Sequence, residues 1–297
     1  MLLLKNNIMN IKYILTFVFC YASSFCFSQN TITKINDEVI EYKKIDTVSL
    51  KLHIYKPLNF SKDSTYNCIV FFHGGGWNSG NYKAFRRQSM YFASRGMIAI
   101  SAEYRLKNTH QTTPFEAVED AKSAIRYVRT HAKELNINPN MIAAGGGSAG
   151  GHLAAACGNT VGLDNPQENL ETSSVPNALA LLNPVIDNGP NSYGYNRFKE
   201  RFKEISPIHN ITKDAPPTII LIGTKDRLIP VSTIEKYKSK MEAVGSRCDL
   251  ILYKDQSHGF FNKTPNFIKT TNEIDLFLKS LGFLKNEPTI KKQYHSN

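Results

Sequence analysis

The chain combines two spacings of apolar positions, one typical of strands and one typical of helices. Residues 49–55 place leucine and isoleucine at every second position among polar side chains, which predicts a strand with one buried face. Residues 68–72 are apolar throughout, as expected of a central parallel strand that is covered on both faces. Residues 114–134 carry apolar side chains every three or four positions, which predicts an amphipathic helix.

The same two patterns recur along the chain and predict an alternation of strands and helices. The predicted strands cover 39–44, 49–55, 68–72, 97–102, 141–144, 178–182, 218–222 and 249–253, and the predicted helices cover 85–95, 114–134, 149–157, 233–244 and 267–281. The first two strands are expected to pair antiparallel at one edge of the sheet. Strands separated by helices form crossover units, so the predicted fold class is α/β, with a mostly parallel central sheet and helices on both faces.

One irregular stretch, residues 187–215, interrupts this alternation. It carries four aromatic side chains, those of Tyr193, Tyr195, Phe198 and Phe202. Long loops inside a compact domain are commonly functional, so the stretch is expected to be either a small lid over the site or a surface excursion whose aromatics pack on the core.

The N-terminal segment differs in kind from the rest of the chain. Lys5 and Lys12 precede an apolar stretch at 14–22, and small residues follow it. This is the pattern of a secretory signal peptide, so we predict a leader over 1–28, a single domain over 29–297, and a secreted or periplasmic protein. The apolar stretch is shorter than the roughly 20 residues that cross a bilayer, so no stable membrane insertion is expected after cleavage.

Composition narrows the function classes. The 297 residues are 41% apolar, enough for one large core. The net charge is +11, but the basic residues are scattered, so nucleic acid is not a predicted partner, and a basic surface suits either an anionic polysaccharide or plain solubility. Cys68, Cys157 and Cys248 fall in predicted core elements, which favours buried apolar packing over a disulfide framework or a metal site.

A serine among glycines stands between a predicted strand and a predicted helix. Gly146, Ser148 and Gly150 have the Gly-x-Ser-x-Gly spacing of a nucleophile elbow, a tight turn that holds the serine hydroxyl clear of the backbone. The same run also contains Gly-x-Gly-x-x-Gly, the dinucleotide-binding spacing. That alternative needs an acidic residue about 20 positions on, at the end of the next strand. Asp164 is near that distance but falls in a predicted loop, so a dinucleotide-dependent oxidoreductase is the distant alternative.

A second glycine run follows an earlier strand. Strand 68–72 leads directly into His73-Gly-Gly-Gly-Trp77, where backbone N–H groups are free to point into a cavity. Serine hydrolases need such donors for the charge that develops on the carbonyl oxygen, and they take them from this loop and from the residue after the nucleophile. The predicted donors are therefore the backbone N–H groups of Gly75, Gly76 and Ala149.

A serine nucleophile also needs a base and an acid that orients the base. Asp226 follows strand 218–222 and His258 follows strand 249–253, so both are expected at the edge of the sheet where α/β active sites lie. Asp187 is kept as an alternative acid because it too follows a strand. Asp255 is too close to His258 in sequence to lie on a separate strand end.

These motifs together resemble a known family, the α/β-hydrolase esterases with a His-Gly-Gly-Gly motif, which includes secreted bacterial carbohydrate acetyl and feruloyl esterases and, more distantly, hormone-sensitive lipase. The resemblance runs from about 49 to 281. It implies an α/β-hydrolase fold with Ser148 as nucleophile, His258 as base and Asp226 as its orienting acid. It rests on His73-Gly-Gly-Gly-Trp77, Glu103-Tyr-Arg-Leu106, Gly146-Gly-Ser-Ala-Gly-Gly-His152, Gly223-Thr-Lys-Asp226 and Ser257-His-Gly-Phe260.

Two departures from the family pattern refine the expectation. Gly147 stands where many relatives carry aspartate, and no long helical cap precedes the first strand. The missing cap favours a compact secreted esterase with a minimal lid and an open site.

The predicted function is that of a secreted serine esterase that removes acetyl or feruloyl groups from polysaccharides or oligosaccharides through an acyl-enzyme. No metal or cofactor is implied. A general short-chain carboxylesterase or lipase and a small serine peptidase are the alternatives within the fold. A catalytically inactive binding protein is disfavoured because every catalytic position is filled.

Overall fold

The computed structural model describes residues 37–294, so the predicted leader over 1–28 lies outside the described residues. Eight strands form one sheet in the order β1-β2-β4-β3-β5-β6-β7-β8. The β1–β2 and β2–β4 pairs are antiparallel and every other pair is parallel. The strands are β1 (Asp37–Ile45), β2 (Val48–Tyr55), β3 (Tyr66–Phe72), β4 (Ile98–Ala102), β5 (Ile137–Gly147), β6 (Ala178–Leu182), β7 (Thr218–Gly223) and β8 (Cys248–Tyr253).

Eight α-helical segments accompany these strands within the described residues. They are α1 (Arg86–Ser94), α2 (Lys107–His110), α3 (Pro114–Thr130), α4 (Ala149–Asn159), α5 (Phe202–Ile205), α6 (Val231–Ala243), α7 (Asn266–Ser280) and α8 (Ile290–Tyr294). The five long helices are those predicted from the sequence. The single-turn segments α2 and α5 and the short α8 were not predicted, because so few residues show no periodicity.

The sheet is covered on both faces, as the apolar run in β3 predicts. Cys68, Val70 and Phe72 point into one core, which also contains the apolar faces of α3, α4 and α6. Ile69 and Phe71 point into the other core, together with side chains of α1 and α7. The predicted α/β architecture, with a mostly parallel sheet between two helical layers, is therefore confirmed.

The region between α3 and β5 differs from the prediction. Helix α3 ends at Thr130, four residues before the predicted end, and β5 begins at Ile137, four residues before the predicted start. Asn136 turns the chain with a left-handed φ of 59°, and Ile137 pairs with Tyr66 of β3. The side chains that follow Ile137 are of the turn-forming type, so only the neighbouring strand makes this stretch extended.

Helix α3 fixes the loop that leads out of β4. Thr113 and Glu116 form a capping box at the start of the helix. Asp120, whose side chain is fully buried, accepts two hydrogen bonds from the Arg105 guanidinium, at 2.7 and 2.8 Å. Lys43 reaches the same carboxylate over 2.8 Å. Because the buried charges are paired, the loop around Arg105 is held beneath the carboxyl ends of the central strands.

The parallel register brings the carboxyl ends of the central strands to one edge of the sheet. Phe72 pairs with Gly146, Gly147 pairs with Leu182, and Gly223 pairs with Tyr253. The residues that follow these strands therefore meet at this edge, where open α/β sheets bind their ligands. Within residues 37–294, no helix has the length and apolar character needed to cross a membrane.

Candidate active site

Ser148 lies in a strained turn between β5 and α4. Its φ of 56° is in the left-handed region, which costs free energy for a residue with a side chain. The turn is held by a hydrogen bond from the Ser148 N–H to the Leu182 carbonyl at 3.0 Å. A Cβ on Gly150 would lie 2.0 Å from the carbonyl oxygen of Phe72, and one on Gly146 would lie 2.5 Å from the Gly150 backbone. The glycines of the predicted elbow are therefore required by close backbone contact.

The structure brings Ser148, His258 and Asp226 together in one hydrogen-bonded chain. The Ser148 hydroxyl donates to Nε2 of His258 over 2.9 Å. On the other side of the ring, Nδ1–H of His258 donates to Oδ2 of Asp226 over 2.8 Å. In this tautomer the ring is ready to take the serine proton at Nε2, while the carboxylate holds the ring orientation. The imidazole remains partly exposed, at 24%, whereas the carboxylate is fully buried.

Asp226 is held as a carboxylate by its surroundings. Burial alone would raise the pKa of its carboxyl group, but hydrogen bonds outweigh burial and leave that pKa below the ordinary value. Oδ1 accepts from the backbone N–H groups of Leu228 and Ile229, at 2.8 and 3.1 Å. Oδ2 accepts from Nδ2 of Asn183 over 2.5 Å in addition to His258. Asn183 was not predicted from the sequence, because it belongs to none of the motifs that indicate the site.

The predicted oxyanion loop lies directly against the nucleophile. A Cβ on Gly74 would come 3.4 Å from the Cβ of Ser148. Gly75 and Gly76 have positive φ values of 123° and 62°, and within residues 37–294 their N–H groups donate to no protein acceptor. Ala149 is the first residue of α4, where a backbone N–H has no partner within the helix. Gly75 and Gly76 thus follow the residue that contacts Ser148, Ala149 is next to Ser148 in the chain, and the N–H groups of all three are available.

Aromatic side chains support the oxyanion loop from behind. The Tyr104 hydroxyl donates to the carbonyl oxygen of His73 over 2.7 Å, and the two rings stack with centroids 4.4 Å apart. Nδ1–H of His73 donates to the Gly74 carbonyl over 2.7 Å. Burial lowers the pKa of His73, so this ring stays neutral at neutral pH. These contacts give His73 a role in shaping the loop rather than in acting as a base.

The irregular stretch 187–215 packs on the oxyanion loop. Phe198 is buried and meets Trp77 edge-on at 5.8 Å between centroids. The Arg197 guanidinium lies 5.5 Å from the Trp77 ring and donates a hydrogen bond to the carbonyl oxygen of Gly76. A Cβ on Gly76 would come 2.8 Å from the Tyr193 hydroxyl. Of the two predicted possibilities, the packing of the aromatics is observed, and it takes place on the loop of the site itself.

His152 joins the elbow helix to the same stretch. Its ring is fully buried, and Nε2–H donates to the carbonyl oxygen of Ile205 over 3.0 Å. It also meets the Trp77 ring edge-on, with centroids 5.0 Å apart. Burial lowers the pKa of His152 to about 4, so the ring is neutral at physiological pH. In this position His152 supports the elbow helix.

The rival acidic residues have other partners. Asp187 accepts from the N–H of Gly189 over 2.8 Å and lies 3.9 Å from His209. Asp255 is exposed and pairs with Lys225. Asp164, which the dinucleotide alternative would need at a strand end, forms ion pairs with the buried cations of α3, Lys122 and Arg126. None of these contacts involves His258.

A cavity of about 620 Å³ opens beside the base. Six of its seven lining residues have polar or charged side chains; the seven are Lys225, Asp226, Arg227, Leu228, Asp255, Ser257 and His258. A larger groove of about 870 Å³ lies at the opposite edge of the sheet, where β6 and β7 begin. Of these two cavities, only the one beside His258 is lined by residues of the triad, Asp226 and His258. Among the described residues no cluster of histidine, cysteine or acidic side chains is arranged to hold a metal ion, and Cys68, Cys157 and Cys248 are buried as predicted.

Two family models match the chain. The BD-FAE family matches residues 52–195, which include the oxyanion loop and the elbow. The prolyl oligopeptidase family matches residues 178–285, which include Asp226 and His258. The two matches overlap only at β6 and the residues after it.

Esterases are found among both sequence relatives and solved structures. Esterase 2 of Thermogutta terrifontis is 43% identical, superimposes with a TM-score of 0.81, and the alignment covers 84% of this chain and 97% of that one. Structures of that protein carry propionate or butyrate. The acetylxylan esterase of Xylanibacter ruminicola is 31% identical over 240 residues, 75% of this chain and 46% of that protein. Esterase LipC of Mycobacterium tuberculosis is 26% identical over 215 residues, 65% of this chain and 52% of that protein.

The chain thus spans about half the length of the curated relatives it matches, but almost the full length of the solved esterase. That esterase has the same fold, and the two family models together span the strand ends that hold the site. The chain belongs to the α/β-hydrolase family of serine esterases.

Proposed function

We propose that the chain is a secreted serine carboxylic-ester hydrolase that removes short acyl groups, above all acetyl, from carbohydrates. One observation carries the esterase assignment: the hydrogen-bonded chain from Ser148 through His258 to Asp226 starts at a strained elbow that lies against the glycine loop. A nucleophile, a base and an orienting acid are each required for this kind of acyl transfer.

In acylation, the Ser148 oxygen attacks the ester carbonyl carbon while its proton passes to Nε2 of His258. The carbonyl oxygen takes the negative charge and is stabilised by the N–H groups of the loop and the elbow, at about 3 kcal/mol for each donor. His258 then gives its proton to the alcohol oxygen, the bond between that oxygen and the carbonyl carbon breaks, and the alcohol leaves. Asp226 stabilises the charged imidazole between these two steps.

In deacylation, water repeats the same steps. Nε2 of His258 takes a proton from the attacking water, the oxyanion forms again in the same place, and its collapse breaks the bond to the Ser148 oxygen. That oxygen recovers the proton from His258, and the carboxylic acid leaves. No group outside the chain is needed for proton balance.

The alcohol product must depart on the side of His258, since this ring protonates it. The cavity of about 620 Å³ lies beside this ring, and Lys225, Arg227 and Ser257 along it can form hydrogen bonds with the hydroxyl groups of a sugar. The similarity to an acetylxylan esterase and to an esterase that binds propionate and butyrate supports a short acyl group on a sugar. Feruloyl, which is larger than acetyl, is the alternative acyl group within the same proposal.

A serine peptidase is the second candidate, favoured by the match of residues 178–285 to the prolyl oligopeptidase family. That match covers the acid and the base, which esterases and peptidases share, and leaves out the oxyanion loop. It therefore supports the common chemistry more than a peptide substrate. A general short-chain carboxylesterase or lipase is the third candidate. It differs from our proposal in the alcohol part of the ester and, for a lipase, also in the length of the acyl chain.

Secretion is part of the proposal and is supported by the sequence pattern over 1–28, with two lysines before a short apolar stretch. Expression of the full chain in a bacterial host with separate assay of periplasm and cytoplasm tests it. We expect a shortened, active protein in the periplasm. Full-length protein retained in the cytoplasm would contradict this part.

The esterase proposal is tested with purified wild type and Ser148→Ala on three substrates. We expect the wild type to release acetate from acetylated xylan, to be much slower on long-chain p-nitrophenyl esters, and to leave proline-containing peptides uncut. Ser148→Ala should keep the melting temperature and lose esterase activity. Wild-type activity in Ser148→Ala would refute the nucleophile, and a preference for long acyl chains or peptides would refute the substrate class.

A further inference from the structure

Asn183 lies at the end of β6, where three strand ends meet. Its backbone N–H donates to the Leu221 carbonyl of β7 over 2.9 Å, and the residue before it accepts from the N–H of Ser148 over 3.0 Å. Its φ of 44° is in the left-handed region. The backbone of Asn183 is thus fixed relative to both the nucleophile and the strand that carries the acid.

The side chain of Asn183 is directed at the acid. Nδ2 donates to Oδ2 of Asp226 over 2.5 Å, and the same oxygen accepts from Nδ1 of His258 over 2.8 Å. The other carboxylate oxygen is occupied by two backbone N–H groups. Among residues 37–294, Asn183 therefore supplies the one side-chain contact, other than the base itself, that defines the orientation of the carboxylate.

This arrangement weakens the fold locally. Asn183 is completely buried, and its Oδ1 atom has no hydrogen-bond partner within residues 37–294. An unsatisfied buried acceptor and a left-handed backbone both destabilise a protein. Such local conflicts persist mainly at functional sites. Within the described residues, the side-chain amide of Asn183 makes its only polar contact with Asp226, so packing alone does not account for an asparagine here.

We propose that Asn183 is a positioning residue for catalysis, which orients the Asp226 carboxylate and moderates its pull on the proton of His258. The proposal rests on the esterase function proposed above. A carboxylate that already accepts a hydrogen bond from an amide stabilises a neighbouring positive charge less. With the amide in place, His258 gives up its proton to the leaving alcohol more readily than it would beside an unmoderated carboxylate.

The proposal predicts a change in pH profile rather than a simple loss of activity. Without the amide, Oδ2 has His258 as its only side-chain partner and favours the charged imidazole more strongly. The acid limb of kcat/KM, which reports deprotonation of the free base, should then move upward by about 0.5–1 pH unit. The maximal kcat should fall about tenfold, because the ring is less well oriented.

Asn159 provides a matched control. It is also a buried asparagine whose Nδ2 makes one hydrogen bond, to the Tyr237 hydroxyl at 2.6 Å, and whose Oδ1 has no partner within the described residues. It ends helix α4, away from the strand ends of the site. Asn159→Leu therefore removes the same kind of contact without touching Asp226.

The experiment measures kcat/KM on p-nitrophenyl acetate from pH 5 to 9 for wild type, Asn183→Leu, Asn183→Gly and Asn159→Leu. Glycine accepts the left-handed backbone, so Asn183→Gly decides the question if the leucine variant does not fold. We expect an upward shift of the acid limb in the Asn183 variants and none in Asn159→Leu. An unshifted limb in a folded Asn183 variant, or an equal shift in the control, would overturn the proposal.

Failure of this inference is distinguishable from failure of the esterase proposal. If the acid limb stays in place while Ser148→Ala is inactive, Asn183 is structural and the esterase proposal stands. If Ser148→Ala retains wild-type activity, the esterase proposal fails, and the role of Asn183 fails with it.

Discussion

The ring of Phe261 occupies the space that a side chain at position 147 would need. A Cβ on Gly147 would come 2.4 Å from Cζ of this ring, and Phe261 is buried, with 4% of its surface exposed. The family pattern that the sequence resembles has aspartate at position 147. In this chain the glycine beside the nucleophile instead packs against Phe261, which lies three positions after His258. The contact therefore joins the elbow to the loop that carries the base.

Gly147→Asp should therefore both destabilise the protein and impair catalysis. Overpacking of this kind costs about 1–3 kcal/mol, measured as the loss of unfolding free energy in urea. The displaced ring of Phe261 should also move the loop that carries His258 and thereby lower kcat. The double variant Gly147→Asp/Phe261→Ala should be less destabilised than the sum of the two single variants. Strict additivity would show that the two positions do not interact.

Asp226→Asn and Asp187→Asn should separate the two candidate acids. Asp226 contacts Nδ1 of His258 at 2.8 Å, while Asp187 is bonded to the backbone of its own loop. An amide at position 226 favours the wrong tautomer of the base, so kcat should fall by about 10⁴-fold. Asp187→Asn should stay within a fewfold of wild type. The assignment is wrong if steady-state assays show the larger loss in Asp187→Asn.

Much of this site was predictable because its residues follow strands. A buried strand such as β3 has an unmistakable apolar run, and parallel strands present the residues after them at one edge. Each of the three triad residues, Ser148, Asp226 and His258, follows such a strand. Their meeting at one edge could therefore be predicted once the strands were placed in one parallel sheet. The order of the strands, including the insertion of β4 between β2 and β3, was not needed to bring them together.

The contacts that tune the site were not predictable. Asn183 and Asp226 are 43 residues apart, and Arg197 and Gly76 are 121 apart. No pattern in the sequence around Asn183 or Arg197 distinguishes either residue from an ordinary surface residue. Their partners are set by how loops lie on one another in three dimensions, and the start of β5 at Ile137 was missed for the same reason.

Arg197→Ala tests whether the stretch 187–215 supports the oxyanion loop. The guanidinium donates to the Gly76 carbonyl and covers Trp77. Without it the donor at Gly76 should be less well placed, and kcat on p-nitrophenyl acetate should fall about tenfold with a normal pH profile. Arg201→Ala is the control, since Arg201 lies in the same stretch and pairs with Glu204. Equal losses in both variants would contradict a specific role for Arg197.

Stability should depend on pH through His152. Burial lowers the pKa of this ring to about 4 in the folded protein, whereas an unfolded histidine has a pKa of about 6.5. Between these values the unfolded chain binds a proton that the folded protein does not, so unfolding free energy falls as pH decreases. The unfolding free energy lost through this one residue should approach about 3 kcal/mol near pH 4 and change little below that pH.

His152→Gln provides the comparison, because glutamine does not titrate and can still donate to the Ile205 carbonyl. Urea unfolding of both proteins between pH 7.5 and 4 should show a smaller acid loss for the variant, with the difference developing below about pH 6.5. His73, whose pKa burial also lowers, contributes in the same direction in both proteins and cancels in the comparison. Parallel pH dependences for wild type and variant would mean that His152 is protonated in the fold, in conflict with its complete burial.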